Sequence, residues 1–113
     1  MKQPEHQLQV ACVKWFRYQY PHELIWATPN GGQRNAIVGA KMKSEGALAG
    51  VPDLTIPKPA HDYNGLFIEM KAGKNKPTPE QKEIMNKLTA YGYKCEVCYT
   101  LAGFIEVVND YMQ

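Results

Sequence analysis

Leu8, Ala11, Cys12, Trp15, Phe16 and Gln19 recur at helical spacing, with Gln9, Lys14 and Arg17 between them, which predicts a first helix from Glu5 to Tyr20. Pro4 sits near its start, where a proline is tolerated, and Pro21 ends it. Leu24 to Ala27 reads as a short strand, and Pro29-Asn30-Gly31-Gly32 as a turn. Asn35 to Ser44 fits a short helix ended by Gly46. Asp53 to Ile56 and Leu66 to Lys71 read as strands. A proline-containing, hairpin-like connection up to Asn64-Gly65 joins them.

Ala72 to Pro77 is a basic loop. After it, Thr78-Pro79-Glu80-Gln81 has the form of a helix start: N-cap threonine, proline at the first helical position, and glutamine three residues after the cap. Ile84, Met85, Leu88 and Tyr91 supply the apolar face of this helix, and Gly92 its stop. Lys94 to Tyr99 reads as a strand. Thr100 then caps a last helix to about Tyr111, with Leu101, Phe104, Ile105 and Val108 on one face. Helices and strands in this order predict an α/β fold, a mixed central sheet flanked by helices.

Composition narrows the class only a little. At 113 residues the chain suits one domain, residues 1–113, and 44% hydrophobic with 21% charged residues is an ordinary globular mixture. There is no apolar run of membrane-spanning length, and the polar start MKQPEHQLQV lacks the apolar core of a signal peptide. The expected location is therefore the cytosol of the cell that makes the protein. Three cysteines are an odd number and do not form a disulfide framework. Cys95 and Cys98 lack partners at zinc spacing and would face opposite ways on a strand, so they read as core residues. Trp15, Phe16 and Trp26 likewise fit a core better than a base-stacking platform. His6, His22 and His61 are scattered and expected at the surface.

Net charge is only +2, but its placement is uneven: Lys71, Lys74, Lys76 and Lys82 form one cluster, and Arg34, Lys41 and Lys43 another. Such clusters are solvated faces in most proteins, and a phosphate-attracting surface where the fold brings them together.

The chemistry-bearing pattern lies in the two middle strands. Alternation puts Glu69 and Lys71 on one side of their strand and Ile68 and Met70 on the other. An antiparallel neighbour would bring Asp53, at the start of its strand, beside Glu69. Two carboxylates on one face suit a hard divalent cation, and the Met70 carbonyl offers a further oxygen. Such an ion would polarise a phosphate and lower the pKa of a water, while Lys71 would position that water and meet the charge that builds on phosphorus. A Glu-x-Lys on a strand is otherwise an ordinary surface ion pair.

Pro52-Asp53 followed by Glu69-Met70-Lys71 resembles the PD-(D/E)xK signature of restriction-endonuclease-like nucleases. Glu5, the stretch Pro29-Asn30-Gly31-Gly32 with Arg34, the segment GALAGVPDL from Gly46 to Leu54, and Gln81 narrow the likeness. Together they resemble the VRR-NUC family, the virus-type replication-repair nucleases, in its short stand-alone phage-like form. The resemblance covers essentially the whole chain. It implies a restriction-endonuclease-like fold and a Mg2+- or Mn2+-dependent endonuclease that cuts structured DNA of the Holliday-junction kind as a homodimer. It also implies a metal site of Glu5, Asp53, Glu69 and the Met70 carbonyl, with Lys71 and Gln81 in supporting catalytic roles. Arg34, Lys74 and Lys76 are then expected to contact DNA phosphates. Glu5 equally fits a helix-dipole partner, and Gln81 equally fits the capping box, the two roles of Gln81 competing if its side chain folds back to Thr78. A flap- or nick-directed nuclease, and a non-catalytic DNA-binding module of the same fold, remain as alternatives.

Overall fold

In the computed structural model, residues 3–29 and 36–113 are described. They form α1 (Gln3–Gln19), β1 (Trp26–Ala27), α2 (Ala36–Ser44), β2 (Leu54–Ile56), β3 (Leu66–Met70), α3 (Pro79–Ala90), β4 (Lys94–Cys98) and α4 (Leu101–Met112). The four strands lie in chain order as one sheet. β1–β2 and β2–β3 are antiparallel, and β3–β4 is parallel, with α3 as the crossover. The predicted mixed α/β sheet with flanking helices is therefore the observed one. None of the described helices is long and apolar enough to cross a membrane.

Alternation sorts the strand residues by face. Leu54, Ile56, Leu66, Ile68 and Met70 point to one side and are fully buried. Cys12 and Phe16 of α1, and Phe104, Val108 and Tyr111 of α4, complete that core with Ile25 and Cys98. Trp15 packs edge-on against Phe104 at 6.0 Å between ring centroids. Two polar ties hold the helical layer: the Tyr20 hydroxyl donates to Asn109 at 2.6 Å, and the Tyr111 hydroxyl to the Lys58 carbonyl at 2.6 Å.

The other face is covered more thinly. α3 packs on β4, where the Cys95 thiol donates to the Met85 carbonyl and Phe67 meets Tyr93 edge-on at 5.2 Å. No residue of α3 is fully buried, and Tyr91 of its expected apolar face is mostly exposed. The helix contributes a lid on one flank of the sheet rather than a second core.

Three expectations change in detail. The first strand shrinks to Trp26–Ala27, and Leu24, expected within it, lies 65% exposed. Trp26, expected in the core with Trp15 and Phe16, is 48% exposed at the sheet edge, because among the described residues β1 is the outermost strand. The connection between β2 and β3 carries a tight turn of its own at His61-Asp62, both with positive φ, closed by a bridge between Ala60 and Tyr63. The Asn30-Gly31-Gly32 turn and Arg34 lie outside the described residues.

Candidate active site

Asp53 stands where the sheet divides. Its main-chain carbonyl accepts from the Thr28 amide at 2.8 Å, continuing the β1 ladder. Its carboxylate Oδ2 accepts from the Met70 amide at 2.8 Å, closing the ladder towards β3 with a side chain instead of a backbone carbonyl. Because Leu54 pairs with Ile68, the residue before Leu54 falls beside the residue after Ile68. Asp53 and Glu69 are thus brought side by side, as alternation and an antiparallel pairing require.

Glu69 is 3% and Asp53 5% exposed. Burial raises the pKa of both carboxyls, because the charged forms lose their hydration. For Glu69, the neighbouring Asp53 charge adds to the effect and Lys71 opposes it, leaving the group pushed up to about 8. The two carboxyls titrate together, each pushed up chiefly by burial, so the doubly charged pair is disfavoured.

Two further side chains converge on Glu69. The Lys71 ammonium, itself 8% exposed, lies 3.6 Å from Glu69 Oε2. The Gln81 amide donates to the same oxygen at 3.1 Å. Gln81 does so while its carbonyl oxygen accepts from the Thr78 amide at 2.9 Å and its own backbone N–H donates to Thr78 Oγ1 at 3.2 Å. The expectation that these roles compete is corrected here. The side chain does fold back to Thr78, but its two ends are used separately, the oxygen for the cap and the nitrogen for Glu69.

Glu5 reaches the site from the first turn of α1. Its carboxylate accepts from the Asn75 side chain at 3.3 Å, and its charge helps to raise the Asp53 pKa. Met70 is fully buried beside Asp53. Among the described residues, no three Asp, Glu, His or Cys side chains close around one point as a ready-made cage. The donor set is nonetheless that of a hard cation: two adjacent buried carboxylates, and Mg2+ is commonly held by one or two carboxylates with water and substrate oxygens completing its shell. Lys74 and Lys76 are exposed on the loop that carries Asn75, at the rim of the site.

Two contributors had no clear signal in the sequence. Asn75 is one asparagine in a basic loop, and its contact with Glu5 spans 70 residues of chain. Gly50 adopts φ +91°, and a Cβ there would lie 2.9 Å from the Glu80 carbonyl oxygen and 3.3 Å from the Gln81 nitrogen. A side chain at position 50 would strike the backbone of the turn that carries Gln81. The sequence placed Gly50 in the GALAGVPDL segment, but not what it leans on.

The cysteines take no part. Cys12 and Cys98 are core residues whose thiols burial pushes up to about 12 and about 11.

Comparison with known proteins bears on the family and the fold. The sequence profile of the VRR-NUC domain matches residues 3–101. A solved structure described as a VRR_NUC domain protein is 29% identical in sequence, with a TM-score of 0.79, and the match covers 99% of this chain and 90% of that one. A search of curated proteins found no match. With the profile match spanning most of the chain and the likeness extending over the whole fold, this chain belongs to the VRR-NUC family and has its nuclease-type, DNA-processing fold.

Proposed function

We propose that this protein is a divalent-metal-dependent endonuclease that hydrolyses phosphodiester bonds in structured DNA, with branched, Holliday-junction-like molecules as its substrates. The observation that carries this reading is the buried cluster of Asp53, Glu69, Lys71 and Gln81, in which three groups converge on one carboxylate. A surface ion pair has no need of such burial, since exposed pairs contribute only about 0–1 kcal/mol.

Asp53, Glu69 and the Met70 carbonyl would hold Mg2+ or Mn2+, with Glu5 completing the set from α1. The ion supplies a Lewis acid for the phosphate and lowers the pKa of a water. Gln81 holds Glu69 in orientation through its amide. Lys71 places a positive charge where the pentacovalent phosphorus gathers negative charge, and its burial keeps that charge poorly screened. Lys74 and Lys76, with Arg34, would neutralise phosphates flanking the scissile bond without reading sequence. Two incisions across a junction need two centres, which a homodimer provides.

The test is a cleavage panel of hairpin, flap, nicked duplex and four-way junction, with and without Mn2+, for the wild type and for Asp53→Ala, Glu69→Ala and Lys71→Ala. Metal-dependent cutting lost in all three variants is expected, with Mn2+ binding retained in Lys71→Ala by calorimetry. Full activity of Glu69→Ala in Mn2+ overturns the assignment. Cutting confined to flaps or nicks assigns the substrate there, and DNA binding without cutting makes the domain a binding module.

A further inference from the structure

α1 carries a second stripe besides the one that enters the core. His6, Gln9, Val10, Val13, Lys14 and Arg17 recur at three- and four-residue spacing and, with Trp26 and Ala27 of β1, line a groove of 350 Å³ between helix and sheet edge. That volume lies within the range of sites that take small organic groups, about 300–1,000 Å³.

The lining divides by chemistry. Val10, Val13 and Ala27 make an apolar floor, and the Trp26 ring stands 48% exposed beside it. Lys14 and Arg17 are exposed cations on the rim, and among the described residues no acidic side chain lines the groove. The groove also has an address. His6 follows Glu5, whose charge is felt at Asp53, and the stripe runs about 16 Å along α1 from there to Arg17.

We propose that this groove binds an unpaired nucleotide of the DNA, its base stacked on Trp26 and its phosphates met by Lys14 and Arg17. The inference rests on the nuclease reading and extends its substrates from fully paired four-way junctions to branched molecules that carry an unpaired strand. An aromatic face flanked by cations is the usual platform for an unstacked base, whereas a fully paired duplex presents no free base face to it. Two exposed cations beside an exposed aromatic ring complement the phosphates and the base of a nucleotide.

Binding is measured by fluorescence anisotropy in EDTA, so that no cutting intervenes, on the full chain. The probes are a blunt duplex and the same duplex bearing a single-stranded flap of about six nucleotides, within the reach of known single-strand sites. The wild type is expected to prefer the flap by about tenfold, the scale of one stacked base. Trp26→Ala, at an exposed position, should erase the preference and leave duplex affinity within about twofold. Flap binding should quench the wild-type tryptophan fluorescence but not that of Trp26→Phe, whose remaining Trp15 packs against the core. An unchanged preference in Trp26→Ala overturns the proposal, as does a change of molecular mass in that variant, which would make the groove an interface between copies. Failure of the nuclease reading is separable: a wild type that cuts nothing in Mn2+ but loses its flap preference with Trp26 keeps the groove and discards the catalysis.

Discussion

Glu69 sits between neighbours with opposite demands. Asp53 and burial favour its protonated form, while Lys71 favours the anion, and the first two prevail. Its folded pKa of about 8 stands above the ordinary value of 4.5, so between those values the folded protein holds a proton that the unfolded chain has released. By linkage, metal-free stability is unaffected by this group below about pH 4.5 and falls as pH rises through the window to about 8. Glu69→Gln cannot ionise, and should therefore be more stable than the wild type at pH 8 and equal to it at pH 4, in EDTA, the gap opening as pH rises through the window. Urea unfolding at both pH values checks this, and a variant less stable at pH 8 would mean that the ionised pair is not strained. At this scale the sequence was legible where strand alternation decides the outcome: Asp53, Glu69 and Lys71 meet as their parity requires. It was not legible for Trp26, whose exposure depends on β1 being the outermost of the described strands, nor for Asn75, whose partner is remote in the chain.

Among the elements, α3 links the cap, the crossover and the site. Thr78-Pro79-Glu80-Gln81 announced its start because capping is local chemistry, complete within four residues. Its packing was not announced, since the depth to which an amphipathic helix sinks depends on what the sheet presents, and here none of its residues becomes fully buried. What seats its first turn is the approach of Gly50. Gly50→Ala combines a strained positive φ with a backbone clash and is expected to cost about 2 kcal/mol. It should also lower kcat, because the displaced turn carries Gln81. Gly73→Ala is the control, with φ +59° but nothing within 4 Å of the added Cβ, and should cost about 1 kcal/mol. Thermal melts and cleavage rates of the two variants give the comparison, and equal losses would show that the contact with α3 contributes nothing.

For the molecule as a whole, the layers follow from which strand face is apolar, and this was readable. What surface remains for a partner was not. Phe16, Phe104 and Val108 are spent in the core, whereas Ile37 and Leu48, on α2 and the loop after it, are 82% and 61% exposed. If two centres act on a junction with twofold symmetry, light scattering should give a dimer mass, and nicks should fall near-symmetrically on opposing arms. Ile37→Asp should lower the mass if that apolar surface forms the contact. A monomer that still makes paired cuts would refute the dimeric mechanism.

Gln81 gives position 81 an unusual place in the drift of the sequence. Helix chemistry treats glutamine and glutamate at the third helical residue as interchangeable, since either side-chain oxygen accepts from the Thr78 amide. Selection for folding alone would let the exchange pass. Yet the exchange removes the amide nitrogen that faces Glu69 and sets an anion against a carboxylate. Purifying selection at this site would therefore report on activity and not on fold, and a lineage released from its DNA task should lose the glutamine before it loses the helix. A melting screen should pass Gln81→Glu near the wild-type temperature, while a cleavage assay rejects it. A variant that melts early would put the selective pressure back on the helix.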